Sequence, residues 1–261
     1  MILVLKILNQ NLSGIKNGIY FFGLSDYPKI QDWEWNNIIA FISYEKAHGH
    51  QTEIICEDNN VAALVNNAAA QLDGTEYIPP IAEAIEEFVY HATDVMGAQK
   101  ILSCGRLLSA TKVYGKTGEE LALLRRESGW EDPADFYEYI MFGWGDHLVG
   151  DYVVLCDNFP SEEDLSKGNF DAGVRFYFRY KDMIRHPGHT FDGYHPLKVK
   201  DEIILSDYLY TCIVPEQYRN EIENYISPEL VGRVQYLSQR GLTLADWNDK
   251  VYNFVVMRRP K

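Results

Sequence analysis

Apolar and polar positions over the first 80 residues follow the periods of short strands and amphipathic helices, which predicts a small α/β module. Apolar runs with β-branched and aromatic residues are typical of strands, and a segment rich in alanine favours a helix. The predicted elements, in chain order, are strands at 1–8 and 18–24, a helix at 32–49, a strand at 51–58 and a helix at 59–72.

The pattern changes after the Pro79-Pro80 pair, which predicts a boundary between a module at 1–80 and a domain at 81–261. In the second part, strand-like and helix-like patterns are mixed. The predicted elements are a helix or lead-in at 81–88, a helix at 118–130, strands at 150–159, 173–180 and 201–215, a loop at 181–199, and helices at 227–241 and 242–256. This order predicts an α+β fold.

The segment 88–105 places a histidine where a strand meets a helix. An aromatic and β-branched run leads to His91, Thr93 or Asp94 is suited to cap the following helix, and Gly105 is suited to end it. Ligand-binding groups often gather at such junctions. Taken alone, the segment favours a half-buried histidine with a structural role.

Composition and charge narrow the choice of partners. The chain has 261 residues, 46% of them hydrophobic and 24% charged, as in ordinary globular proteins. Its formal net charge of −14 argues against broad, nonspecific binding to nucleic acid or anionic membranes, while leaving room for a local basic groove. No stretch reaches the roughly 20 apolar residues that span a bilayer.

The N-terminal segment and the cysteines predict a cytoplasmic protein with reduced thiols. The apolar start lacks a basic n-region and reads as a strand rather than a signal peptide. The cysteines are scattered and form no CxxC pair; they are Cys56, Cys104, Cys156 and Cys212. Phosphate-binding loops, dinucleotide fingerprints, GxSxG elbows and HExxH helices are absent from the sequence.

Three segments in order resemble the ADP-ribosyltransferase superfamily. The run "YHATDVMGAQKILSCGRLLSA" is similar to its opening strand and helix, with the pattern H-x-T followed by I-x-x-x-G-x-L. The run "VRFYFRYKDMI" resembles the V-P-F-Y-F-x-P-R-S-P-M strand of the DarT-type DNA ADP-ribosyltransferase toxins, and "HPLKVKDEIILSDYL" resembles their segment with the catalytic glutamate. The resemblance covers about residues 88–226. Arg175 replaces the family's proline, and "RYKDM" replaces "PRSPM".

The resemblance implies an NAD-dependent ADP-ribosyltransferase with a split mixed sheet behind the N-terminal module. It implies that Glu202 is the catalytic carboxylate, since a carboxylate stabilises the oxocarbenium-like sugar formed when nicotinamide leaves. It also implies that His91 and Thr93 bind NAD through a ribose hydroxyl, and that Tyr152 or Tyr177 stacks on nicotinamide.

The same resemblance implies arginines for the diphosphate or the acceptor. Arg125, as a cofactor-binding residue, and Arg126, as a catalytic residue, occupy roughly the position of a family arginine, because a guanidinium matches phosphate geometry. Arg106 and Lys112 rank lower. A macromolecule is the implied acceptor, with DNA indicated by the family and protein or RNA as alternatives, and no membrane partner is expected.

Other interpretations stay open. Each of these residues has a structural alternative: core packing for the tyrosines, a surface acid for Glu202 and an exposed helical charge for the arginines. A catalytically silent nucleotide-binding or protein-interaction module would keep the same fold. The loop at 181–199 also contains potential metal ligands, namely His186, His189, Asp192 and His195, and a metal-dependent hydrolase is the third hypothesis. No metal is predicted in the preferred reading.

Overall fold

In the computed structural model, the described residues are 2–7, 13–16, 19–26, 29–73, 87–126, 132–156 and 159–258. Among them the strands are β1 (Ile2–Ile7), β2 (Ser13–Lys16), β3 (Ile19–Leu24), β4 (Glu53–Cys56), β5 (Phe88–Thr93), β6 (Arg106–Leu108), β7 (Tyr139–Met141), β8 (Gly143–Trp144), β9 (Val174–Arg179), β10 (His189–Thr190), β11 (Lys198–Lys200), β12 (Glu202–Ile204), β13 (Leu209–Pro215) and β14 (Val234–Leu237). The helices are α1 (Asp32–Ala47), α2 (Asn59–Gln71), α3 (Val95–Cys104), α4 (Ala110–Tyr114), α5 (Gly118–Arg126), α6 (Val149–Leu155), α7 (Glu162–Lys167), α8 (Tyr180–Met183), α9 (Leu205–Tyr208), α10 (Arg219–Ile222) and α11 (Leu244–Met257).

The chain divides into two compact units, each built from separate segments. The first unit comprises Met1–Glu83, Ser109–Tyr139 and Gly188–Asp201, and the second unit comprises Ala84–Leu108, Ile140–Pro187 and Glu202–Lys261. The predicted boundary at Pro79-Pro80 lies outside the described residues, and so do residues 81–86 of the helix or lead-in predicted at 81–88. The division into 1–80 and 81–261 therefore stays a prediction, although two later segments group with the N-terminal one.

The first unit contains the α/β pattern that the sequence predicts. Its four-stranded sheet has the order β2-β3-β1-β4, with β1 parallel to both β3 and β4. The core includes Tyr20 and Phe22 from β3, Phe41 and Ile42 from α1, and Val65 from α2. Apolar burial of this kind is the main stabilising term for such a layer. The Tyr20 hydroxyl also donates to the Gly193 carbonyl oxygen at 2.7 Å.

A fully buried lysine lies in the later segments of the first unit. The Lys198 ammonium is 3.8 Å from the ring centre of Tyr44, 4.1 Å from that of Phe136 and 4.8 Å from that of Tyr139. Lys198 forms an ion pair with Asp192, in which Nζ is 3.1 Å from Oδ2. The geometry of this contact does not satisfy a hydrogen bond. Aromatic faces and one carboxylate thus replace the water that a lysine loses on burial.

The second unit is built on a five-stranded mixed sheet with the order β14-β13-β9-β5-β8. The β13–β14 pair is parallel and the other pairs are antiparallel. Tyr90 and Tyr177 are opposite each other in register, as are His91 and Phe176. Because side chains alternate along a strand, these pairs lie on opposite faces of the sheet.

We call the sheet face that carries Tyr90 and Tyr177 the α11 face, because the core on that side includes Trp247, Val251 and Val255 of α11. The other face is the histidine face. The second unit also contains a two-stranded antiparallel sheet formed by β6 and β12.

The predicted strand, histidine and helix of residues 88–105 are confirmed. The Asp94 carboxylate accepts a hydrogen bond from the Gly97 amide at 2.6 Å and so caps α3. Gly105 ends the helix with φ 67°, a left-handed conformation that glycine adopts readily. The predicted strand at 173–180 and the helix at 242–256, which Thr243 caps, are also confirmed as β9 and α11.

Two predictions of secondary structure are wrong. Residues 150–159, predicted as a strand, contain most of α6. Residues 227–241, predicted as a helix, contain a short 3₁₀ turn and then β14, because Gly232 with φ 89° ends the turn and the chain pairs with β13. The predicted strand at 201–215 is divided into β12, α9 and β13.

The fold class is mixed α and β, as the sequence predicts at that level. Over the described ranges, none of the helices combines the length and the apolar character that crossing a membrane requires.

Candidate functional site

His91 lies on the histidine face near the end of β5, and its ring is held in one tautomer. Nδ1 is 3.1 Å from the Met141 carbonyl oxygen, so Nδ1 carries the proton that is donated. Burial lowers the pKa of His91, and this backbone hydrogen bond only partly opposes the effect. The neutral ring therefore presents an unprotonated Nε2, which can accept a hydrogen bond from a hydroxyl.

Thr93 shares the histidine face with His91, because the two residues are two positions apart on β5. Gly97 permits the close approach of α3 at this point. A Cβ added to Gly97 would lie 2.2 Å from the Thr93 hydroxyl oxygen. His91 and Thr93, the two residues of β5 that the resemblance assigns to NAD, thus lie on the same face of the sheet.

Tyr177 is on the other side of the sheet from His91. It is fully buried, it stacks on Tyr90 at 5.5 Å between ring centres, and its hydroxyl accepts from Arg175 and donates to the Gly145 carbonyl oxygen. A side chain on the α11 face cannot line a crevice on the histidine face. Tyr177 is therefore a core residue on the face opposite His91, and its predicted stacking on nicotinamide stays a prediction.

Tyr152 lies on α6 rather than on a strand. Its side chain is exposed and stacks on Phe159 with 5.8 Å between ring centres. Asp151 of this helix is buried against Arg175, and Gly150 lets the Tyr90 ring approach the helix. A Cβ on Gly150 would be 2.8 Å from Cε2 of that ring. Tyr152 thus belongs to the α11 side of the second unit.

Glu202 forms an ion pair with Arg106. The distance from Oε2 to Nη1 is 2.8 Å, and the side chains are 45% and 52% exposed. The register of β12 against β6 places Ile204 opposite Arg106 and Glu202 opposite Leu108. All four therefore share one face of this small sheet, whereas Leu107 and Ile203 are buried on the other. Sequence reasoning ranked Arg106 low, since only strand pairing shows the contact.

Asp201 does not continue the alternation of β12. Asp201 has a left-handed backbone, with φ 65°, and lies just before β12 begins. The alternation of side chains along β12 therefore does not determine which way the Asp201 side chain points. Its carboxylate is 3.5 Å from the Lys112 ammonium, and both side chains are about half exposed.

Arg125 and Arg126 lie at the end of α5 in the first unit, whereas His91 and Glu202 lie in the second unit. The Arg125 side chain is exposed. Its charge acts on Asp132: burial raises the pKa of Asp132, and the charges of His195 and Arg125 partly offset that rise. The Arg126 side chain is outside the described part of the chain. Their predicted roles stay predictions.

The histidine-rich loop does not form a metal centre among the described residues, where no group of three or more suitable ligands is found. Asp192 is buried and already bound. It accepts from the amides of Tyr194 and His195, at 3.0 and 2.8 Å, and its second oxygen is 2.8 Å from His195 Nδ1. Burial alone would raise the pKa of Asp192, but Lys198 and His195 hold it well below its usual range.

A buried polar network, which no sequence pattern indicates, lies on the α11 face. The Arg175 guanidinium pairs with Asp151 through two hydrogen bonds and donates to the Asn248 side-chain oxygen at 2.9 Å. The Asn248 amide donates to the Asp146 carbonyl oxygen at 2.7 Å. Beside this network is a shallow cavity of about 520 Å³ that is largely open to solvent. It is lined by residues from the start of α6 and the first half of α11, Tyr152 among them.

Comparison with known proteins identifies no relative: no family model, no curated protein and no solved structure matches the chain.

Proposed function

We propose that this protein transfers ADP-ribose from NAD to a macromolecular acceptor. The observation that supports this most directly is His91, a neutral ring with Nδ1 bound to a backbone carbonyl and Nε2 available as an acceptor, at the strand–helix junction of the resemblance. Such a nitrogen suits a ribose hydroxyl, and Thr93 stands on the same face of β5.

In this proposal, Glu202 stabilises the charge that develops on the ribose as the bond to nicotinamide breaks. Nicotinamide departs with the bonding electrons, and a nucleophile of the acceptor forms the new bond to the same carbon and loses its proton. The Glu202 side chain is 45% exposed, so a substrate can approach its carboxylate from solvent. Its partner Arg106 supplies a guanidinium that suits a diphosphate.

A nucleotide-binding module without turnover is the second candidate. The position of Tyr177 favours it, because one of the two tyrosines predicted to stack on nicotinamide is in the core on the face opposite His91. In that case NAD would raise the melting temperature of the protein, and no nicotinamide would appear.

The test is to incubate the protein with NAD labelled in its adenylate phosphate and with separate pools of DNA, RNA and protein. Label in one pool, together with release of free nicotinamide, would support the transferase and identify the acceptor class. The Glu202→Gln variant is the control, because any label that it leaves on the acceptor pools does not come from the proposed reaction. Absence of both label and nicotinamide, with NAD binding retained, would leave the silent module.

A further inference from the structure

We propose that the cavity between α6 and α11 is a docking groove for a basic, amphipathic segment of a partner protein. The groove is the space lined in part by Leu148, Val149, Tyr152 and Ala245, with the carboxylates of Asp146 and Asp249 also in the lining. It lies on the α11 face of the second unit, opposite the face that carries His91. It therefore differs from the proposed NAD site, and this inference does not depend on the transferase reaction.

The groove is rigid before any partner arrives. Asn248, also in its lining and only 4% exposed, bridges the Arg175 guanidinium and the Asp146 carbonyl oxygen. On the other side, the Tyr90 hydroxyl donates to the His147 carbonyl oxygen at 2.8 Å and accepts from the Gly150 amide at 2.9 Å. Buried hydrogen bonds thus fix the start of α6 and the facing turn of α11, and a preorganised site loses less conformational entropy on binding.

Exposed apolar side chains continue from the groove over the outer surface of α6. Val149 and Tyr152, in the lining, are 45% and 44% exposed, and the neighbouring Val153 and Phe159 are 56% and 53% exposed. The stacked rings of Tyr152 and Phe159 make one continuous apolar surface. A group of exposed large apolar residues beside a concave site is typical of a protein-binding surface.

The charge of the groove selects a basic occupant. Asp146 and Asp249 are the acidic groups among its lining residues, and the ring of His147, also in the lining, is 3.8 Å from the Asp146 carboxylate. The chain as a whole has a net charge of −14, so a phosphate backbone would be repelled and a cationic segment attracted. Arginine or lysine fits best, since its aliphatic stem packs on apolar surface, its charge pairs with a carboxylate and its head can lie over the Tyr152 ring.

The test uses the full chain and a fluorescent short peptide that alternates arginine with leucine, with binding measured by anisotropy at low salt. A matched peptide with glutamate in place of arginine is the charge control. We expect the basic peptide to bind, the acidic peptide not to bind, and added salt to weaken the complex.

The variants are Asp146→Asn with Asp249→Asn, and Tyr152→Ala, with Glu229→Gln as an exposed acid outside the groove. We expect affinity to fall at least about tenfold in the first two, equivalent to roughly 1.4 kcal/mol, and to stay unchanged in the third. Thermal melting confirms that each variant is folded. Unchanged affinity in the groove variants would overturn the proposal.

Two further outcomes would also overturn it. Sedimentation that shows a dimer in the wild type and a monomer in Tyr152→Ala would assign the groove to a second copy of this chain. Competition for the groove by a single-stranded oligonucleotide, lost in Tyr152→Ala, would assign it to nucleic acid.

Discussion

Arg175 and Asp151 form an ion pair in which neither side chain reaches solvent. Nε is 3.0 Å from Oδ1 and Nη2 is 2.7 Å from Oδ2, so the guanidinium meets the carboxylate with two parallel bonds. Burial raises the pKa of Asp151, and Arg175 partly offsets that rise. The pair connects the middle of the sheet to α6, and each charge depends on the other.

Removing one partner of this pair is expected to be costly. Asp151→Asn leaves the Arg175 guanidinium buried without a counter-charge, and we expect the free energy of unfolding to fall by about 3–5 kcal/mol. The double variant Arg175→Met with Asp151→Leu removes both charges and should recover most of that loss. Urea unfolding followed by circular dichroism measures both. A double variant as unstable as the single one would show that packing, not charge, sets the cost.

His91 is expected to make stability depend on pH. Its pKa is lowered in the folded state, so below about pH 6.5 the unfolded chain binds a proton that the folded protein resists. The wild type should therefore lose stability relative to His91→Gln as pH falls from 7.5 to 5.5, by at most about 1.4 kcal/mol per pH unit. Glutamine keeps a donor for the Met141 carbonyl. Parallel curves for the two proteins, measured by urea unfolding, would contradict this.

Affinity for NAD gives a second measurement at the same residue. We expect His91→Ala to weaken NAD binding by about 0.5–1.5 kcal/mol, the net value of one hydrogen bond. Calorimetry of the folded variant measures this. Unchanged affinity would remove His91 from the NAD site.

Glu202 should affect turnover far more than binding. Glu202→Gln keeps the shape of the side chain and removes the charge that stabilises the developing cation, so we expect NAD binding to persist and transfer to fall on the order of 100-fold or more. Asp201→Asn is the neighbouring control, because asparagine tolerates the left-handed backbone at this position. Nicotinamide release measures both. Equal activity in all three proteins would mean that Glu202 is a surface acid.

The contribution of Lys198 to the free energy of unfolding should depend on whether Asp192 is charged. Lys198→Met leaves a buried carboxylate with less compensation, and we expect a loss of about 3–5 kcal/mol near neutral pH. The depressed pKa of Asp192 gives stability that is present above about pH 4 and lost as the pH falls further, so the difference from wild type should shrink in acid.

The matched control for Lys198 is Lys200→Met on the same strand. Lys200 is half exposed, with its ammonium 3.1 Å from Glu138, and such a pair contributes at most about 1 kcal/mol. Urea unfolding at pH 6 and pH 3 compares the variants. A pH-independent loss in Lys198→Met would contradict the role given to Asp192.

Gly193 should tolerate alanine less well than Gly49 does. Both have left-handed backbones, with φ 74° and 77°, so either change costs about 1–2 kcal/mol. A Cβ on Gly193 would also lie 2.1 Å from the Asn37 carbonyl oxygen, whereas one on Gly49 meets nothing within 4 Å. We expect a further loss of about 1–3 kcal/mol at Gly193. Equal melting temperatures in the two variants would contradict this.

The sequence predicted elements whose signals are local. The β5–α3 junction is one, because Asp94 and Gly105 act on their own neighbours in the chain. Residues 150–159 were predicted wrongly because Val153 and Val154 favour a strand by propensity. The contact of Asp151 in α6 with Arg175 on a distant strand cannot be read from the sequence pattern.

The candidate site was predictable only as separate residues. The positions of His91 and Thr93 on one face follow from strand alternation, which the sequence already shows. The pairing of Arg106 with Glu202 depends on the register of two strands that are far apart in the chain. The burial of Arg175 could not be predicted either, because a charged residue normally indicates an exposed position.

The division of the first unit among three segments has a consequence for synthesis on the ribosome. The Tyr20 hydroxyl and the Gly193 carbonyl that it binds are 173 residues apart, so the N-terminal sheet emerges long before its last segment exists. At about 5–20 residues per second, the delay is on the order of ten seconds. During that time the nascent chain exposes the apolar surface of the N-terminal sheet that Tyr194 later covers, and such exposed surface favours aggregation.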